Sequence, residues 1–149
     1  MSLRYFEDLE VGDKLYGSEE FVVAKEEVVE YAKRWDPQPF HTDETAARDS
    51  MFGGLVAPAS FVLAIESWLW HTIEDRPALA VGVGYDDLRL LNPVRPGDRL
   101  AISIEVMEAR PSESRPDCGV VRTRVILTNQ RDEQILSLLD TCLISKREA

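Results

Sequence analysis

The chain has 149 residues, of which 44% are hydrophobic and 30% charged, enough for one domain whose core needs no disulfide or metal. A formal net charge of −10 argues against nucleic acid or an anionic membrane surface as the main partner. It leaves room for an anionic small ligand held by a local group of arginines.

Cys118 and Cys142 show neither metal spacing nor a disulfide framework, and fit free thiols in a reducing compartment. No apolar run of signal-peptide length opens the chain. The apolar stretch Phe61–Trp70 is too short for a membrane span, and Glu66 interrupts it. The expectation is a cytoplasmic protein forming one domain over residues 1–149, with no membrane contact.

In chain order, residues 6–13 read as a lead-in loop closing on a Gly12-Asp13 turn. Residues 14–23 have strand character, ending in Phe21-Val22-Val23. From Lys25 to Trp35 the period becomes helical. Val28, Tyr31 or Ala32, and Trp35 share one face, while Glu26, Glu27, Glu30, Lys33 and Arg34 stay in solvent. Ala24 is a poor N-cap, so packing must hold the helix start. The helix has to stop at Asp36, because a residue before proline is pushed out of the helical region.

Residues 43–48 predict a short helix capped by Thr42 or Asp43, and Gly53-Gly54 ends that excursion. Pro58 suits the first position of the next helix, which runs to about Ile73. Its residues are nearly all apolar, which predicts a helix in the middle of the core. Glu66, Ser67 and His71 mark its less buried side.

Everything after Pro77 reads as strand. Residues 78–86 form a first run, continued past a kink by 88–91. Residues 99–109 alternate, with Ile102, Ile104 and Val106 on one face; 119–129 and 135–145 complete the set. Turns fall at 93–98 and 130–133, and a polar loop at 110–117. One apolar helix followed by antiparallel strands on short turns is an α+β pattern, with the sheet curled round the helix.

Chemistry concentrates in Trp35–Asp43, where Asp36 and one of the two histidines, His41, stand five residues apart. Fully extended, their α-carbons would lie roughly 15 Å apart, too far to share a water, so a turn must intervene. A turn at Pro37-Gln38 conflicts with Pro39, whereas Gln38-Pro39-Phe40-His41, with Pro39 second, does not. From spacing alone the pair reads as well structurally, with Asp36 closing a helix or binding a lysine and His41 capping the next short helix.

The run Asp36-Pro37-Gln38-Pro39-Phe40-His41 resembles the hydratase motif of the MaoC-like dehydratases, the (R)-specific enoyl-CoA hydratases of the hot-dog fold. That motif has an Asp, any residue, Asn or a similar amide, Pro, an apolar residue, then His. The resemblance covers nearly the whole chain, including the Phe52-Gly53-Gly54-Leu55 approach to the apolar helix and the turn at 93–98. It implies a hot-dog fold, an antiparallel sheet wrapped around one long central helix. It also implies addition of water across the double bond of a 2-enoyl thioester.

In that chemistry Asp36 is the base for water at C3, and His41 holds the same water and assists proton transfer. Partial burial beside Trp35 or Phe40 would suit Asp36 to the role. A backbone N–H at the start of the central helix stabilises the thioester oxyanion. The family places a glycine there; here Ala59 keeps the N–H but adds a methyl group, and Pro58 before it has no donor.

Phe40, Gly54, Ser60 and Ser67 are the expected substrate-binding positions, Ser67 standing at the family's helix serine with an i−4 backbone bond as the alternative. His71 reads as structural, and Trp68 and Trp70 as core or subunit interface. Arg89, Arg95 and Arg99 read equally as coenzyme A phosphate contacts or as solvated side chains. Coenzyme A is expected only as part of an acyl-CoA substrate, with no separate cofactor and no metal. The resemblance also implies a homodimer, or an assembly of dimers, with sheets paired edge to edge. The alternatives are a hot-dog thioesterase that directs the water at the carbonyl, and a non-catalytic acyl-CoA-binding module in which Ala59 blocks the oxyanion site.

Overall fold

The computed structural model describes residues 2–148. After a single 3-10 turn at Phe6–Asp8 come β1 (Lys14–Tyr16), β2 (Phe21–Val22), α1 (Lys25–Trp35), α2 (Pro39–Thr42), α3 (Glu44–Arg48) and α4 (Ala59–Trp70). Four long strands follow: β3 (Leu79–Leu90), β4 (Arg99–Pro111), β5 (Cys118–Thr128) and β6 (Gln134–Ser145). The sheet runs β1-β4-β5-β6-β3, with β2 also paired to β4, and every pairing is antiparallel.

The alternation of β4 puts Leu100, Ile102, Ile104 and Val106 on its buried face, as a strand period of two requires. With Val125 and Leu127 of β5 and Leu136 and Leu138 of β6, most of these pack against Val62, Ile65 and Leu69 of α4. The result is the α+β hot-dog arrangement, one long helix held in a curled sheet.

Four local expectations change. Residues 14–23 do not form one strand. At Gly17 the chain crosses against β4, and an added Cβ would stand 2.7 Å from both Ile102 Cγ2 and Thr72 Oγ1; Ser18 then turns to bond Thr72 O.

The α1 boundaries are as expected, and Val28 and Ala32 are fully buried. Trp35, however, is 63% exposed, because the helix overshoots the core by a turn. Its indole is instead covered by the Arg34 guanidinium, 4.8 Å from the ring centroid.

Helix α4 starts at Ala59, one residue later than expected, with Pro58 as its cap residue. Within one chain only one side of α4 is packed: Val62, Ile65, Glu66 and Leu69 are buried, while Ala64, Ser67 and Trp68 are exposed. Glu66, expected on the solvent side, is 3% exposed. It lies one turn after Val62, on the face turned to the sheet.

Two other local expectations hold. Asp43 caps α3, its Oδ1 accepting from Ala46 N–H at 2.9 Å. The kink in β3 is a break of register between Asp86 and Arg89, where Asp87 takes a φ of 49°, a left-handed conformation that Asp tolerates better than most residues. Among the described residues no helix is long and apolar enough to cross a membrane, and both cysteines are free thiols.

Candidate active site

The two prolines shape the site. Asp36 closes α1 with its N–H on Ala32 O at 2.9 Å and leaves the helical region at φ −155°, ψ 76°. Gln38, before Pro39, is extended at φ −68°, ψ 142°, as a residue before proline must be. The chain then turns with Pro39 second, His41 N–H donating to Gln38 O at 3.0 Å. The turn brings His41 back against Asp36, with Nε2 3.4 Å from Asp36 Oδ2. One water can touch both groups at that separation.

The other face of the ring is fixed. His41 Nδ1 lies 2.6 Å from Val56 O. A carbonyl oxygen can only accept, so Nδ1 carries the proton, and in the neutral ring the Nε2 lone pair faces Asp36. Val56 is itself held by its N–H on Phe40 O at 3.2 Å, and the next residue by Ala57 N–H on Val94 O at 2.8 Å. Phe40 packs edge-on to the imidazole at 4.6 Å and against Phe52 at 5.2 Å. His41 is thus buried, whereas the Asp36 side chain keeps 41% exposure. Trp35, turned outward, does not supply the expected burial of Asp36.

Asp36, Phe40 and His41 line a cavity of about 360 Å³, closed by Ala59 and Val62 of α4, the Leu90–Val94 segment and Ile135. The first N–H groups taken up at the head of α4 are those of Phe61 and Val62, both on Pro58 O. Ala59 N–H carries no hydrogen bond among the described residues, at the positive end of the helix dipole. Asp36, His41 and Ala59, the first residue of α4, therefore line one cavity.

The other expected positions divide. Gly54 sits at the rim rather than in the lining, where an added Cβ would meet Arg95 Nη1 at 3.4 Å. Arg95 Nη2 donates to Phe52 O at 2.6 Å and so pins the approach loop, whereas Arg89 and Arg99 pair with Asp87 and Glu20. Ser60 is exposed beside Ala59 and lies outside the lining. Ser67 makes the i−4 bond, to Leu63 O at 3.2 Å, and faces a different cavity. The Val56 carbonyl was not legible in the sequence, since a main-chain acceptor has no residue signature.

That second cavity, of about 380 Å³, lies toward the C-terminal end of α4 and includes Glu66, Ser67, His71, Tyr85, Asp140 and Cys142. Burial, and then the charge of Asp140, push the Glu66 carboxyl up to about 7. Burial likewise raises Asp140, and burial with the two carboxylates raises Tyr85. One sequence signal pointed here: Asp140 falls at an inward-facing position of β6, two residues after buried Leu138.

The model of the MaoC like domain matches residues 7–129. The chain belongs to the MaoC-like family. The MaoC-like dehydratase of Rhodospirillum rubrum is 36% identical, with a TM-score of 0.89 and coverage of 98% of this chain and 99% of that one. Bacillus subtilis YdeM is 26% identical over 125 residues, 82% of this chain and 86% of that protein. The R-hydratase PhaJ1 of Pseudomonas aeruginosa shares the fold at 24% identity, with a TM-score of 0.77 over 96% of this chain and 86% of that one. The matched span of this MaoC-like domain contains Asp36, His41 and Ala59.

Proposed function

We propose that this MaoC-like domain is an enoyl-CoA hydratase, adding water across the double bond of a 2-enoyl thioester and removing it in reverse. The observation that carries the reading is the convergence of Asp36 Oδ2 and His41 Nε2, 3.4 Å apart, in the cavity that Ala59 also lines. Both groups present lone pairs, so one water donates a proton to each and turns its own lone pair toward C3. Asp36 takes a proton as the oxygen bonds to C3. The π electrons move onto the thioester oxygen, where Ala59 N–H meets the developing charge. A proton held on the Asp36–His41 pair then passes to C2, and the balance is one water added.

Base, water and oxyanion donor complete the chemistry, so coenzyme A is needed only as part of the substrate. Phe40 shapes the site by packing on His41. Gly54 lets the Arg95-pinned loop approach the mouth.

The working unit in this reading is a homodimer. Strand β3 ends the sheet with one edge unpaired and exposes Leu79, Val81, Val83, Tyr85 and Leu90. An apolar edge this long is an aggregation liability unless covered, and an antiparallel strand can pair with its own copy about a two-fold axis.

The experiment is a double readout on crotonyl-CoA, following loss of absorbance at the enoyl bond and release of free thiol. Hydration by the wild-type chain and its loss in Asp36→Asn is the expected result. Thiol release without hydration would make the chain a thioesterase. Binding without either would make it an acyl-CoA-binding module.

A further inference from the structure

Acids outnumber bases 27 to 17 in this chain, and most of its arginines are paired accordingly. Arg89 stands 3.2 Å from Asp87 and Arg99 3.1 Å from Glu20, and others on the strands and near the termini do the same. Arg34, Arg48 and Arg95 have no carboxylate partner among the described residues. All three adjoin the Asp36–His41 cavity along the chain. Arg34 comes two residues before Asp36, Arg48 four before Phe52 and Arg95 two after Pro93, and those three neighbours line it.

Arg95 is held in place from both sides. Its N–H donates to Asp98 Oδ2 at 2.8 Å, and Asp98 N–H donates back to Arg95 O at 3.0 Å. Val94 O before it accepts from Ala57 N–H at 2.8 Å, and Gly97 N–H after it donates to Val23 O at 2.7 Å. From this anchored turn the side chain reaches the approach loop, where Nη2 donates to Phe52 O. That bond uses one of the five guanidinium N–H donors and leaves four. Gly54 keeps the space beside Nη1 open, since an added Cβ would stand 3.4 Å from it.

A fixed guanidinium with spare donors and no counter-charge suits a phosphate, which it can grip with two parallel bonds. Arg95 is not part of the cavity lining, so an anion that meets it belongs to the part of the substrate left outside. We propose that Arg95 recognises a phosphate on the carrier arm of the thioester and makes the protein prefer phosphorylated carriers. The inference rests on the acyl-thioester reading above. Arg34 and Arg48 add positive charge on the same side without a fixed contact. The guanidinium that meets the phosphate also holds Phe52, which packs on Phe40 and through it on His41.

The test measures binding of S-(2-oxopentyl) thioethers, which keep a carbonyl but can be neither hydrated nor hydrolysed. The pantetheine thioether carries no phosphate. The 4′-phosphopantetheine thioether carries the one that coenzyme A shares with carrier proteins, and the coenzyme A thioether adds those of the adenosine side. Dissociation constants are measured by titration calorimetry on the wild type, Arg95→Gln and Arg95→Lys, at low and high salt.

The wild type is expected to bind a phosphorylated thioether roughly tenfold or more tighter than the pantetheine one, with the margin narrowing in salt. Arg95→Gln is expected to shrink that margin to about threefold or less, and Arg95→Lys to fall between, keeping the charge without the fork. A margin complete with phosphopantetheine assigns Arg95 to the shared phosphate; one that needs coenzyme A assigns it to the adenosine side.

Equal wild-type affinities for all three thioethers overturn the proposal. So does a loss in Arg95→Gln that falls equally on all three, the mark of a residue that only pins the loop. Should Arg95→Gln not fold, Arg95→Lys decides in its place, a margin equal to the wild type's counting against the proposal. Crotonyl-CoA hydration reports on the catalytic reading separately. No hydration with the phosphate preference intact removes the hydratase and leaves the role of Arg95; hydration without the preference removes that role alone. No binding of any thioether removes both.

Discussion

The His41 Nε2 that faces Asp36 at 3.4 Å is set by a bond on the opposite side of the ring, from Nδ1 to the Val56 carbonyl at 2.6 Å. The backbone thus selects the tautomer in which both members of the pair accept from one water. Asparagine at position 41 can keep the inner bond through its amide while lacking any group at the Nε2 position. His41→Asn should therefore melt within a few degrees of the wild type yet lose about 10²–10⁴ in crotonyl-CoA hydration. Full activity in a folded His41→Asn protein would remove His41 from the chemistry.

Ala59 permits an unusually clean deletion. It is the first residue of α4, where proline fits because the N–H has no partner within the helix. Pro58 before it already sits at φ −58°, ψ 146°, the extended conformation that a following proline demands. Ala59→Pro removes the donor and little else, so kcat should fall about 10²–10³-fold with thermal stability held. An unchanged kcat would place the oxyanion elsewhere.

The legible parts of this chain are those governed by local rules. The prolines around Gln38 dictated the turn that joins Asp36 to His41, and Asp36 before Pro37 dictated where α1 stops. Strand periods located Ile102, Ile104 and Val106 on the buried face. Trp35 was misplaced because α1 runs past the core, and Glu66 for a different reason. Helical periodicity says which residues share a stripe, but which stripe meets the sheet is decided by strands far along the chain. Glu66 is buried because β3 and β6 carry Tyr85 and Asp140 to it, and nothing near Glu66 in sequence announces them. The Ala59 donor was legible only through the family motif.

The β3 edge supplies a test of assembly. Val81 and Val83 are 50% and 63% exposed on it, and lysine on an edge strand opposes strand-to-strand pairing. The wild type should sediment at about twice the 16.9 kDa chain mass, and Val81→Lys/Val83→Lys at the monomer mass. A doubly substituted chain that stays dimeric would move the interface off β3.

The buried carboxyl should be visible in stability. Glu66 sits near 7 in the folded chain against an ordinary value of 4.5, through burial first and Asp140 second. The folded state therefore holds this proton more tightly than the unfolded one, and unfolding releases it between those values. The sign follows: the stabilisation is present below about 4.5 and is lost as pH rises through about 7. Asp140 and Cys142 on β6, Tyr85 on β3 and His71 beyond α4 face the same cavity. Asp140 is raised too, by burial, and slopes the curve the same way. Glu66→Gln keeps the shape without the ionisation, so it should match the wild type near pH 4. At pH 8 it should be more stable by up to an order of 3 kcal/mol, or roughly 5–10 °C in melting temperature. Melts at the two pH values decide it: a Glu66→Gln gain that is equal at pH 4 and pH 8 would mean that Glu66 ionises freely in the folded chain.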